Sequence, residues 1–147
     1  MAKFNYKLEI NAPVDVVFDI YSDPKYENKW ISDCEMKELI SGKVDEAGAR
    51  FKFTRKSFGK LDGEEVIEEL TAYKKNELHA VKVISDRGDS SLEVKFHQSG
   101  DVTIMNIAAK LRSKNFWIRN FIDPLYLYLY KVNYIRDLQR FKKIVEE

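Results

Sequence analysis

Between residues 36 and 111 the sequence alternates apolar and polar side chains over six successive stretches, 36–41, 50–58, 64–73, 78–85, 91–98 and 102–111. A period of two marks a β-strand with one buried face. The links between the stretches are short and hold Gly42, Gly48, Gly59, Gly63, Asn76, Gly88 and Gly100. A parallel pair needs a crossover of a dozen residues or more, so strands joined this closely pair as antiparallel neighbours. Ser99-Gly100-Asp101 reads as a tight hairpin, and Asp86-Arg87-Gly88-Asp89 as another.

The flanks of this block differ from it and from each other. Phe4, Tyr6, Leu8 and Ile10 alternate with polar residues and give a seventh strand, which stops at Asn11-Ala12-Pro13. Asn11 is a candidate N-cap, and Pro13 suits a first helical turn. Val14, Val17, Phe18 and Tyr21 then recur at helical spacing, so a short amphipathic helix runs to about Ser22. Asp23-Pro24 punctuates it, and a second short helix is expected over 25–31, with Tyr26 and Trp30 on one side.

From Ser113 onward there is no glycine, and Ser113 is the candidate cap of a long helix. Trp117, Phe121, Leu125, Tyr128, Val132 and Ile135 make one apolar stripe; Leu127, Tyr130, Tyr134, Leu138, Phe141 and Val145 make another. Two stripes imply a helix enclosed for several turns. Pro124 should kink or split it, with Asp123 recapping the second part. The helical stretch, roughly 33 residues, spans on the order of 50 Å. The expected fold is α+β: a seven-stranded curved antiparallel sheet around a long C-terminal helix, with two short helices after the first strand. Residues 1–147 are expected to form one domain.

The charges nearly cancel, 25 basic against 24 acidic. That argues against a general nucleic-acid binder, which carries a basic surplus for phosphates. The one cysteine, Cys34, rules out an intrachain disulfide and agrees with a reducing cytoplasm. No apolar run reaches the length of a membrane span and the N-terminus does not read as a signal peptide, so a soluble cytoplasmic protein is expected. No phosphate loop, nucleophile elbow, paired-carboxylate motif or metal-type His/Cys spacing is present, and no cofactor is expected.

The order of elements, with these residues, resembles the START-like superfamily, the polyketide cyclase/dehydrase and lipid-transport group with the helix-grip fold. The resemblance runs through Ile10-Asn11-Ala12-Pro13-Val14-Asp15-Val16-Val17-Phe18, then Ser22-Asp23-Pro24 and Trp30. It resumes at Leu39-Ile40-Ser41-Gly42, Gly48-Ala49-Arg50-Phe51 and Glu65-Val66-Ile67-Glu68-Glu69, and the terminal helix completes it. It covers essentially the whole chain. The superfamily includes lipid carriers, cyclases, hormone receptors, chaperone cofactors and oxygenase domains, so the resemblance implies a fold and not an activity.

A curved sheet that meets one helix only in part leaves a concave apolar space of the kind that holds small molecules. Strand alternation turns Phe51 and Phe53 inward, carries Arg55 with them, and does the same for Leu92, Val94 and Phe96. Alternation alone leaves the faces of 64–73, 78–85 and 102–111 unassigned. Trp30, Trp117 and Phe121 are candidate rim residues, with Leu125 and Tyr128 continuing the lining along the helix. The expected partner is an apolar or amphipathic small molecule, bound by a monomer or homodimer. A cyclase-type enzyme using the same space and a chaperone-activator-like interaction module are the rivals.

Several polar residues stand between a functional and a structural reading. Arg55 is a candidate cation for a carboxylate or phosphate head group, or a strand-end arginine paired with a glutamate. Glu68 and Lys82 form either a buried pair or a solvent-facing one. His79 and His97 lack a companion ligand or carboxylate, and His97 shares the polar phase with Glu93 and Lys95. Tyr126, Tyr128, Tyr130 and Tyr134 spread around the helix and read as core packing with hydroxyls at the edges. Glu64, Glu65, Glu68 and Glu69 fall on opposite strand faces and read as a solvated strand.

Overall fold

A computed structural model describes residues 2–31, 37–55, 64–85 and 88–147; at 28, 54, 55, 64, 65, 84 and 85 it describes the backbone alone. Strand β1 (Ala2–Ile10) is followed by helices α1 (Val14–Ser22) and α2 (Pro24–Trp30). Strands β2 (Glu38–Ser41), β3 (Arg50–Arg55), β4 (Glu64–Lys74), β5 (Leu78–Ser85), β6 (Gly88–Ser99) and β7 (Val102–Ser113) come next. A π-helical turn, Ile118–Ile122, leads into α3 (Asp123–Glu146). Cys34 and the hairpin residues Asp86 and Arg87 lie outside the described residues.

The sheet order is β1-β7-β6-β5-β4-β3-β2, antiparallel throughout. The antiparallel pairing is the one expected from the link lengths, and with the terminal helix it makes the helix-grip α+β arrangement that the resemblance implies. The two-residue turn Gly100-Asp101 joins Ser99 to its partner Val102, and Gly100 takes a φ of 60° that side chains resist. Burial resolves two of the three unassigned faces, while on β5 the adjacent Ala80 and Val81 are both buried. On β7, Thr103, Met105, Ile107 and Ala109 are buried. On β4, Val66, Glu68 and Leu70 are buried, and a bulge between Leu70 and Ala72 then shifts the phase so that Tyr73 packs inward.

The helix starts are held differently from expectation. Asn11 does not cap α1. The helix begins after Pro13 with no cap from its own segment, and the Val14 N–H donates instead to Gln98 Oε1 at 2.8 Å, from the end of β6. Asp23 does cap α2, accepting from the Lys25 N–H at 2.9 Å. Ser113 is not the cap of the last helical segment, because β7 runs through it. Asn115 takes that role, its Oδ1 accepting from the N–H groups of Trp117 and Ile118 at 2.9 and 3.3 Å.

Pro124 splits the helix as its chemistry requires. It has no N–H to donate, and its ring crowds the carbonyl four residues earlier. The turn before it therefore widens, with the Asp123 N–H reaching the Ile118 carbonyl. Asp123 does not recap α3. Its carboxylate, in a residue 2% exposed, accepts from the Ser113 N–H at 2.8 Å and the Ser113 hydroxyl at 2.6 Å, riveting the end of β7 to the start of α3. The continuous α-helix is 24 residues, shorter than the expected span.

Only one of the two apolar stripes is enclosed. Leu127, Tyr134, Leu138, Phe141 and Val145 are buried, and α3 lies on β1, β7, α1 and α2. Trp117, Phe121, Leu125 and Tyr128 are 62 to 67% exposed. The expectation of an enclosed first stripe is thus corrected: a single sheet covers one side of a helix, and no described residues form a layer over the other. The core follows the same division. One cluster, with Phe18, Trp30, Phe96 and Phe141, sits beneath α3. A second, Ala49, Phe51, Leu70 and Val81, sits on β3–β5, and Tyr73 and Leu92 pack against both.

Candidate functional site

Glu27 and Trp30 lie three residues apart on α2, hence on one helix face. Both are turned inward, 6% and 2% exposed. The segment after α2 brings Lys37 to the same place, and the inward phase of β4 brings Glu68, itself 6% exposed. The Lys37 ammonium donates to Glu68 Oε1 at 2.6 Å and to Glu27 Oε1 at 3.0 Å. It also stands 5.9 and 5.4 Å from the ring centres of Phe51 and Phe53, both buried on β3. The result is an ionic triad set against an aromatic wall.

Burial shapes the protonation of Lys37 and Glu27. Taken alone, it would pull the Lys37 ammonium down. The charges of Glu68 and Glu27 and their hydrogen bonds outweigh it and hold the ammonium well above its ordinary range. For Glu27, burial pushes the carboxyl up to about 7, with Lys37 offsetting only part of the cost and Glu68 adding to it. Glu27 therefore changes charge near neutrality. His79, paired across the strands with Tyr73 and edge-on to Tyr21 at 5.4 Å, is pushed down to about 4 by burial and then by the Lys37 charge, so it is a neutral imidazole at pH 7.

A second polar pair lies in the same interior. The hydroxyls of Tyr21 and Tyr134 are 3.0 Å apart, joining α1 to α3, and burial holds both well above the usual phenol range. Trp30 packs against both rings, at 5.6 and 6.4 Å. Two buried polar atoms on α2 have no partner among the described residues: Glu27 Oε2 and Trp30 Nε1. Buried polar groups are nearly always satisfied, so an acceptor and a donor orphaned on one helix face mark a place where something else belongs.

The model of the "Activator of Hsp90 ATPase homolog 1-like protein" family matches residues 11–116, well over half the chain. The chain belongs to this family. No curated protein matches it. Solved structures share its fold at low sequence identity. A START superfamily protein from Mycobacterium smegmatis has a TM-score of 0.80 at 12% identity, covering 99% of this chain and 98% of that one. A conserved protein from Geobacillus kaustophilus has 0.76 at 15%, covering 97% and 94%. Norcoclaurine synthase from Thalictrum flavum, a point mutant in complex with a transition-state analogue, has 0.70 at 17%, covering 97% and 92%. The START-like, helix-grip assignment is therefore established for this member of the family.

Within this family member the candidate residues divide into three groups. Phe51, Phe53, Val94 and Phe96 are buried on the inner face and Leu92 is half-buried between the two clusters. Trp30 is not a rim residue: α2 packs flat against α3, and the indole becomes core. Trp117, Phe121, Leu125 and Tyr128 are exposed on the outer side of the terminal segment and line no enclosed space. The side chain of Arg55 lies outside the described residues.

Among the described residues the cation of the interior is Lys37. Glu68 is buried but pairs with Lys37, whereas Lys82 is on the outer face with Glu69 at 3.3 Å. His97 is exposed. Among the described residues no cluster of three or more His, Cys, Asp or Glu could hold a metal ion, and no helix is long and apolar enough to cross a membrane. Glu27 escapes a periodicity search because it sits on a seven-residue helix, and Lys37, although inside the alternating stretch 36–41, stands just before β2 and reads there as an ordinary polar position. The one available signal is the helical spacing of Glu27 and Trp30.

Proposed function

We propose that this protein binds an apolar small molecule bearing a hydroxyl-type polar end, in the space between α2, the Phe51–Phe53 wall and the inner faces of β4 and β5. The observation that carries the reading is the pair of orphaned atoms. A hydroxyl has the donor that Glu27 Oε2 lacks and the acceptor that Trp30 Nε1 lacks, so this one group matches both in chemistry. Lys37 is already compensated by two carboxylates, so the triad favours a neutral polar group over an anion. The apolar body would lie beside Tyr73 and Leu92, which pack against both clusters of the core. Burying that body contributes roughly 25 cal/mol per Å². The same reading takes the chain as a monomer or homodimer in the cytoplasm, and residues 1–147 as one domain.

Native mass spectrometry of gently purified protein is the test. The expected result is one small molecule per chain, apolar and hydroxylated, released on denaturation and much weakened in Glu27→Leu. Protein that is ligand-free from several sources, and that binds no member of an alcohol and phenol panel, overturns the reading.

A catalytic reading is favoured by Glu27 alone. A carboxyl poised near pH 7 beside a fixed ammonium can take or give a proton at neutrality, and such groups serve in proton-transfer sites. Norcoclaurine synthase is an enzyme by name on this fold, which shows the fold admits chemistry and no more. A captured molecule recovered altered by the native protein, but intact from Glu27→Gln, selects the enzyme; unaltered recovery from both selects the holder. The family's description also brings a chaperone-activating reading. Stimulation of Hsp90 ATP hydrolysis by the purified chain is its direct assay.

A further inference from the structure

The outer side of the terminal segment is chemically unlike the rest of the surface. Phe116, Trp117, Phe121, Leu125, Tyr128 and Val132 are 58, 67, 65, 62, 63 and 41% exposed. From Phe121 onward they recur at three- and four-residue spacing, so they form one ridge, and the Trp117 ring stacks on Phe121 at 5.4 Å. At roughly 150–250 Å² for a full aromatic side chain, the four aromatics alone leave on the order of 500 Å² in water. That already equals the largest apolar patch of an ordinary monomer, and the aliphatic members extend it.

The charges around this ridge have one sign. Between Asp101 and Asp137 the basic residues are Lys110, Arg112, Lys114, Arg119, Lys131 and Arg136, and the sole acid is Asp123, whose carboxylate is buried on Ser113. The whole chain is only +1, so this segment concentrates positive charge that the remainder offsets. Lys114 and Arg119 stand at one end of the ridge, with the Arg119 guanidinium 5.8 Å from the Phe116 ring. Lys131 flanks it and Arg136 follows one turn after Val132. None of these four is ion-paired among the described residues.

We propose that this ridge is a docking surface for an anionic lipid bilayer. A helix that carries Trp, Phe, Leu and Tyr on one side, bordered by unpaired Lys and Arg, matches an element lying in the plane of a membrane interface. The aromatic rings and aliphatic tips enter the boundary between head groups and acyl chains, while the cations meet the anionic head groups. A ridge also suits a deformable bilayer better than a protein partner, which would need a groove shaped to receive it. The segment lies almost wholly beyond residues 11–116, so the surface is not part of what the family match covers. The proposal goes beyond the interior reading and does not depend on it: a chain with a filled interior still presents this ridge.

Vesicle flotation of the full-length protein tests it. Binding is expected to phosphatidylcholine vesicles containing phosphatidylserine, weak or absent with phosphatidylcholine alone, and falling as salt screens the head groups over a Debye length of about 10 Å at 0.1 M. The double variant Phe121→Glu, Leu125→Glu should lose binding with an unchanged melting temperature, because both side chains are already exposed. The variant Lys114→Gln, Arg119→Gln, Lys131→Gln should bind on the order of a hundredfold more weakly, at about fivefold per cation. No flotation with anionic vesicles overturns the proposal. So does flotation indifferent to the glutamates, a dimer that the glutamates disperse in the absence of vesicle binding, or a protein partner captured on the ridge while vesicles are ignored.

Discussion

Lys37 is surrounded by groups whose charges depend on it, and removing it tests the triad more sharply than removing either acid. Lys37→Met keeps most of the volume and strands two carboxylates, each about as buried as the ammonium, without a cation. Breaking a buried pair in this way typically costs about 3–5 kcal/mol. A loss of that size is expected in denaturant melts at pH 7, shrinking at lower pH as Glu27 protonates. A loss of under 1 kcal/mol at pH 7 would mean that the three groups are solvated rather than enclosed.

Glu27 and His79 give opposite pH dependences. The Glu27 carboxyl is raised from 4.5 to about 7 in the fold, so the folded chain holds the extra proton and stability falls as pH climbs through that interval. His79 is lowered from 6.5 to about 4, so the unfolded chain binds the extra proton and stability falls as pH drops through that interval. The two slopes oppose each other between 4.5 and 6.5, and above 6.5 only the Glu27 slope remains. Urea midpoints at pH 6, 7 and 8 should decline slightly for the native chain, and for Glu27→Gln should rise from pH 6 to 7, where the His79 slope then stands alone, and level off by pH 8. A decline that persists unchanged in the variant would assign the titration elsewhere.

Neither Glu27 nor Lys37 announces itself in the sequence. A glutamate on a short helix and a lysine before a strand are the ordinary furniture of a protein surface. Their burial is decided by α2 packing against α3, more than a hundred residues away in the chain, and local periodicity carries no record of that contact. Phe51, Phe53, Val94 and Phe96 were legible because a strand's two faces are fixed by its own alternation.

Among the elements, the junction between β7 and α3 is the most exposed to single changes. Asp123 accepts two hydrogen bonds from Ser113 across a turn that Pro124 forbids from closing as a regular helix. Hydrogen bonds to a charged acceptor contribute about 1.5–3 kcal/mol, and an alanine here leaves a buried donor unmet as well. Asp123→Ala should cost about 2–4 kcal/mol and speed amide exchange at Ser113. If exchange there is unaffected while stability falls, the clamp is not what holds the junction. Pro124 marked the break in the sequence. The serine at the other end of the clamp reads as a helix cap, because Ser before a helical stretch is the usual cap and only the three-dimensional path of β7 gives it a different partner.

For the molecule as a whole, the antiparallel run of β2 to β7 followed from link lengths, because a short link excludes a parallel crossover whatever the side chains are, whereas the pairing of β1 with β7 has no such local signal. How far the helix covers the sheet did not follow. Two apolar stripes on one helix are equally compatible with full enclosure and with one stripe left outside, and the choice depends on whether a second layer exists.

The two tryptophans occupy opposite extremes, Trp30 at 2% exposure and Trp117 at 67%. The intrinsic fluorescence is therefore the sum of a dry indole and a wet one. Acrylamide should quench roughly half of the emission with a downward-curving plot, and in Trp117→Phe the remaining blue-shifted signal should be nearly immune. A single straight quenching line would contradict those exposures. Each indole sits at one of the two surfaces assigned here, so one optical signal, split by one conservative substitution, reports separately on what enters the protein and on what the protein lies against.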